Sequence, residues 1–195
     1  MQSKEILKNF WSFLKEDTWQ SWIVSIILVI IIIKFIFFPA LSFVTGTKLP
    51  LVVVESCSMY HESSFDDWWS QNKGWYESRG IEKEDFQSFS LKSGLNKGDI
   101  VFVKGSNDYK KGDIIIYTSG TQYPLIHRIV SLNPIQTKGD HNADQITPSS
   151  GQNVDETNVK ENQILGKAVG KIPALGWIKL VFFEPFRTTG KGFCH

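Results

Sequence analysis

Residues 19–46, WQSWIVSIILVIIIIKFIFFPALSFVTG, constrain this chain more than any other stretch. From Trp22 to Phe38 the only strongly polar side chain is Lys34. A helix needs about 20 apolar residues to cross a bilayer core. This run supplies them if Lys34 reaches toward an interface, and Trp19 and Trp22 suit the headgroup belt. A cleaved secretory signal fits less well, because the apolar run is too long and no small-residue cleavage site follows it. A buried core helix is the other alternative. Lys4, Lys8 and Lys15 precede the run, whereas Lys48 stands alone after it until Lys73. By the positive-inside rule, residues 1–18 are expected in the cytoplasm, 19–46 form a single transmembrane anchor in the cell membrane, and 47–195 form an extracytoplasmic domain. Within 1–18, Ile6, Leu7, Phe10, Trp11 and Leu14 recur at helical spacing. They suit either an interfacial helix or an extension of the span.

Beyond the anchor the pattern changes. LPLVVVES (49–56), GDIVFVKG (98–105), GDIIIYTS (112–119), YPLIHRIVSL (123–132) and QILGKAVGKI (163–172) are short and β-branched, and turn residues separate them. The expected fold class is mainly β, with one N-terminal transmembrane helix and an α-helical insertion. KGDI occurs twice, at 97–100 and 111–114, each time as a turn leading into a strand. Residues 60–96 form the insertion. Within it, Phe65, Trp68, Trp69 and Tyr76 share roughly one helical face, and Ser63 or Ser64 can cap the start. That face either covers one end of the β core or rests on a membrane, and the scarcity of Lys and Arg favours the first. The C-terminal PALGWIKLVFFEPF (173–186) is apolar enough to rest against lipid or to pack under the β domain.

Twenty-one Lys and Arg against 20 Asp and Glu leave no basic excess, so no nucleic-acid partner is expected. Two cysteines, Cys57 and Cys194, are too few for a disulfide framework. A bond between them is possible outside the cell, though nothing in the sequence singles it out. His61, His127 and His141 lack the close spacing of a zinc site, and no cofactor is expected.

Three places hold groups that can react: Ser56-Cys57-Ser58, His127 in PLIHRIV, and TKGDHNAD with Asp140, His141 and Asp144. A serine hydroxyl is a weak nucleophile until a base takes its proton. Histidine is the usual base near neutral pH, and a carboxylate fixes its tautomer. Taken singly, each group has an ordinary structural reading as a strand histidine or a polar turn. Successive residues on an extended chain face opposite ways, so Cys57 points away if Ser58 faces a cleft.

The ordered set SCSM, KGDIVFVK, KGDIIIY, PLIHRIV and TKGDHNAD resembles the boxes of type I signal peptidases over roughly residues 48–176, apart from the insertion. The bacterial branch carries a lysine base where this chain has LIHRIV. The archaeal and endoplasmic-reticulum branch carries histidine, so His127 makes the chain similar to that Ser/His branch. The resemblance implies a signal-peptidase-like β catalytic domain. It implies Ser58 as nucleophile, His127 as general base, and an oxyanion site from the Ser56 hydroxyl and the Ser58 N–H. Such a donor typically lowers a barrier by about 3 kcal/mol. It offers Asp144 as the histidine's partner, with Asp140 of KGD as the other candidate and Asp155 more distant. The implied partners are signal peptides of preproteins, the bilayer and protein-export machinery. The chain departs from the family at Tyr60-His61, where a proline is usual, and at Cys57, where glycine or an acidic residue is common. The long aromatic insertion is a third departure. These bear on the substrate groove more than on the chemistry. The 11 residues from Thr47 to Ser58 reach at most about 40 Å, which keeps Ser58 near the membrane. VVVES would form one wall of a groove taking an extended substrate as an added strand. A related protease with another membrane-proximal target, or an anchored β-domain that binds without catalysis, would be told apart by Ser58→Ala.

Overall fold

A computed structural model describes residues 2–121, 123–151, 153–186 and 192–194. The chain divides into two units, Met1–Val44 and Thr45–His195. In the first unit, α1 (Gln2–Phe13) ends before a break, and the Thr18 side chain accepts from the Ser21 N–H to start α2 (Trp19–Ile32). The break means that α1 is not a continuous extension of the span. A π-type turn over Ile33–Phe37 leads into α3 (Phe38–Thr45). Together these make a 27-residue helix, Trp19–Thr45, that contains an 18-residue stretch of mean hydropathy 2.9 and is long and apolar enough to cross a membrane.

The second unit is built on six strands: β1 (Leu51–Val53), β2 (Ile100–Lys104), β3 (Ile114–Tyr117), β4 (Leu125–Leu132), β5 (Ile135–Lys138) and β6 (Ile164–Ile172). They form one antiparallel sheet in the order β1-β2-β6-β3-β4-β5. The five strands expected from the β-branched runs are all present. β5 is additional, hidden in a short polar segment. The antiparallel sheet and the N-terminal apolar helix are both present; among the described residues helices account for 39% and strands for 18%, so helix outweighs strand once the anchor and the insertion are counted.

β3 is buried along its whole length. Ile114 and Ile116 join Val54, Met59, Val101, Val103 and Ala168 in one cluster, while Ile115 and Tyr117 join Ile129 and Val159 in another. A strand covered on both faces needs a continuous apolar run, and IIIY provides it. The two KGDI turns are built alike. Gly98 and Gly112 adopt positive φ, a conformation glycine takes without steric cost. Asp99 accepts from the Asn96 N–H and Asp113 from the Lys110 N–H. Each carboxylate also receives a lysine from β6, Lys171 for Asp99 and Lys167 for Asp113.

The 60–96 segment carries α4 (Phe65–Glu77) and α5 (Lys83–Ser88). Ser64 caps α4 by accepting from the Asp67 N–H. Trp68, Trp69 and Tyr76 are buried with Ile81, Phe86 and Val130 of β4, so the aromatic face covers the sheet. Phe86 is fully buried, and its ring centroid lies 5.0–5.5 Å from those of Trp68, Trp69 and Tyr76. The C-terminal α6 (Trp177–Phe183) buries Leu180, and the Trp177 indole donates to the Lys97 carbonyl. Ile178, Val181 and Phe182 of the same helix are exposed. Because truncating a buried aromatic leaves a cavity, Phe86→Ala should destabilise the second unit by about 3–5 kcal/mol. Chemical denaturation in detergent, followed by tryptophan fluorescence, checks this.

Candidate active site

Ser58 lies on a tight turn after β1, closed by the Tyr60 N–H donating to the Cys57 carbonyl. Its two flanks are fixed to different parts of the fold. The Ser58 carbonyl accepts from the His141 N–H at 2.9 Å, and the buried Met59 carbonyl accepts from the Leu95 N–H at 2.8 Å. Gly139 permits the first contact, because a Cβ there would lie 2.7 Å from the Ser58 carbonyl oxygen. The Ser58 hydroxyl is 3.2 Å from that of Ser56. Cys57 is disulfide-bonded to Cys194, which leaves it no thiol with which to act as a nucleophile. The pairing appears only in the structure, since its sequence separation of 137 is bridged by the fold.

The β4 residues His127 and Arg128 are neighbours in sequence, but strand alternation sends them to opposite faces. Both are buried, and each meets a different carboxylate. Arg128 donates through Nε and Nη2 to Asp140, at 3.0 and 2.7 Å for the shorter contacts, and through its other nitrogen protons to the carbonyls of Ser90, Leu91 and Gly112. Asp140 also contacts His61 Nε2 at 3.1 Å and the Tyr76 hydroxyl at 3.4 Å. His61 in turn stacks on Trp68. Burial alone would raise the Asp140 carboxyl. The Arg128 guanidinium, with His61 adding to it, outweighs burial and holds the group well below the usual carboxylate range.

His127 directs Nδ1 to the buried Glu156 carboxylate. The two expected partners, Asp140 and Asp144, are engaged elsewhere. Asp140 is committed to Arg128 on the other face of the strand. Asp144, whose side chain is 72% exposed, accepts from the Trp75 indole at 2.7 Å and lies near Arg79. That indole and the Gln145 N–H lower its carboxyl. Asp155 accepts from Thr157. No hydrogen bond joins Ser58 to His127 among the described residues. Without substrate such contacts are commonly long, and they tighten when the complex forms.

Lys138 is a further buried group that residue-type reasoning passed over. It follows Thr137 on β5, donates to the Gly139 carbonyl, and sits over the rings of Trp75 and Tyr76. Burial lowers its pKa to about 8. A sequence clue to one missed pairing existed. An arginine inside a buried strand needs an acid, and KGD offered one. Glu156, in VDET, left no such clue.

No family model matches the chain. It is 28% identical over 160 residues to the signal peptidase complex catalytic subunit SEC11 of Lachancea thermotolerans, covering 77% of this chain and 76% of that protein. It is 29% identical over 106 residues to the subunit of the same name from Zygosaccharomyces rouxii, covering 50% of this chain and 63% of that one. The SEC11 of Saccharomyces cerevisiae is 30% identical over 107 residues, with the same coverages. All three relatives carry the name of the catalytic subunit of the signal peptidase complex, which agrees with the resemblance read from the sequence boxes. Against the last two relatives it spans a little under two thirds of their length.

In this chain the Arg128–Asp140 pair fixes the KGD loop against which the Ser58 turn rests. Asp140→Asn should therefore leave a buried guanidinium uncompensated, at a cost of about 3–5 kcal/mol. Because the folded carboxyl lies below its unfolded value, the stabilisation is fully present above about pH 4 and is lost as pH falls toward the folded value. Unfolding of parent and variant between pH 7 and pH 3 should show a stability gap that narrows on acidification.

Proposed function

We propose that this chain is a membrane-anchored serine endopeptidase that removes signal peptides from exported preproteins, with Ser58 as nucleophile and His127 as general base. The observation that carries the reading is that one unit holds both a serine on a doubly fixed turn and a buried histidine already oriented through Nδ1. The Nε2 of that histidine has no partner among the described residues. Similarity to SEC11, named as the catalytic subunit of a signal peptidase complex, supports the substrate class and suggests that further subunits take part.

In this mechanism His127 Nε2 takes the Ser58 hydroxyl proton as Oγ attacks the scissile carbonyl carbon. The Ser58 N–H and the Ser56 hydroxyl stabilise the oxyanion. His127 then delivers the proton to the departing amine, leaving an acyl-enzyme. Water, deprotonated by His127, attacks that ester, and the proton returns to Ser58 as the signal peptide leaves. The β sheet serves as the catalytic domain. β1 ends the strand order, so its outer edge is where an extended substrate would add.

The apolar helix Trp19–Thr45 supports a single-pass anchor, and the lysines before it support a cytoplasmic N-terminus. The Cys57–Cys194 disulfide suits an oxidising compartment for the second unit. The exposed Ile178, Val181 and Phe182 of α6 suit contact with lipid.

Cleavage of a model preprotein by the full chain in liposomes tests the reading. Ser58→Ala and His127→Ala should each lower kcat by about 10³ or more while leaving the fold intact. Lys138→Met separates the bases, because a lysine of lowered pKa next to Gly139 is the alternative proton acceptor. Activity lost in Lys138→Met but kept in His127→Ala would reassign the base. Full activity in Ser58→Ala would remove the proposal. Cleavage of pilin-like or sorted surface proteins in preference to preproteins would redirect the substrate class.

A further inference from the structure

We infer that Glu156 is the residue that positions His127, taking the place of either aspartate of the KGDHNAD loop. The inference rests on the Ser58/His127 reading above and adds its third member. Glu156 comes from a separate segment, 154–159, which runs along the outer side of β5. The Thr137 N–H donates to the Glu156 carbonyl, and the Val159 N–H donates to that of Ile135. This covers the edge of β5 and carries the Glu156 side chain beneath the sheet to the His127 face.

The hydrogen-bond directions around Glu156 settle which nitrogen of His127 holds the proton. An ionised carboxylate only accepts. Oε2 accepts from the Ile146 N–H at 2.6 Å, and Oε1 accepts from the Thr137 hydroxyl at 3.3 Å. Thr137 spends its single proton there, so the contact of 2.9 Å between its oxygen and the Tyr117 hydroxyl must be donated by Tyr117. Burial, with the Glu156 charge adding to it, raises the Tyr117 phenol well above its ordinary value, which keeps that proton in place. Every neighbour therefore donates toward Glu156, and His127 does so through Nδ1–H. Neutral His127 then presents an unprotonated Nε2, the form a general base needs. The two aspartates lack this arrangement, since Asp140 is committed to Arg128 and Asp144 lies at the surface.

The test uses the full chain in detergent with ¹⁵N-labelled histidine, and His127→Ala identifies the His127 signals. The expected result is a neutral His127 protonated on Nδ1 in the parent. In Glu156→Gln, the amide can satisfy the Ile146 N–H with its oxygen and turns its NH₂ toward His127. The tautomer should switch to Nε2–H, and kcat for a model preprotein should fall by about 10³ or more with KM little changed. Glu156→Asp, which keeps the charge, should retain the Nδ1–H tautomer and recover part of the rate. A parent His127 protonated on Nε2 overturns the inference, and that measurement needs no variant to fold. A parental rate in Glu156→Gln overturns it too, as does a switched tautomer in Asp144→Asn alone. Loss of activity in His127→Ala beside full activity in Glu156→Gln removes Glu156 but keeps the Ser/His mechanism. Full activity in His127→Ala removes the mechanism itself.

Discussion

The buried ion pair between Arg128 and Asp140 is the contact on which the second unit depends. Both side chains are fully excluded from water, a costly state unless nearly every polar atom finds a partner. Here that demand ties together distant parts of the chain. Arg128 reaches the carbonyls of Ser90 and Leu91 at the end of the insertion and that of Gly112 in the second KGDI turn. Asp140 takes His61 and Tyr76 from the start and middle of the same insertion. One residue further on, the His141 N–H holds the Ser58 carbonyl. The aromatic helices thus form part of the scaffold that places the serine.

Strand alternation gives β4 two separate tasks. Arg128 on one face organises the loop under Ser58, while His127 on the other meets Glu156. A substitution of one acid should therefore report on architecture and a substitution of the other on proton transfer, although the residues they serve are adjacent. The same economy appears in the KGDI turns, where each aspartate both closes its turn and receives a lysine from β6.

Much of this was legible in the residues. The long apolar helix, the strand runs, the helical face of the insertion and the turn role of KGDI all follow from short-range periodicity and backbone preference, which survive without knowledge of the fold. The parts that escaped depend on long-range proximity. β5 has only four residues, three of them polar, and it becomes a strand because β4 and the 154–159 segment flank it. Glu156 carries no motif. A carboxylate in VDET reads as solvated until the fold shows it buried against His127. Asp144 drew attention for the opposite reason, since it lies close in sequence to the KGD box but at the protein surface. The disulfide joins cysteines too far apart in sequence for spacing to suggest it.

The order of strands in the sheet has a consequence for how the molecule comes into being. β6 lies between β2 and β3, yet it is the last strand to be synthesised. Until it arrives, β1–β2 and β3–β4–β5 are separate pieces, each with an open edge ready to pair with a foreign strand. Asp99 and Asp113 also wait for their lysines until then. Contacts of this range raise contact order and slow folding. The emerging chain therefore passes through a stage in which it is vulnerable to aggregation and to quality-control proteases, and joining the two halves with β6 ends that stage.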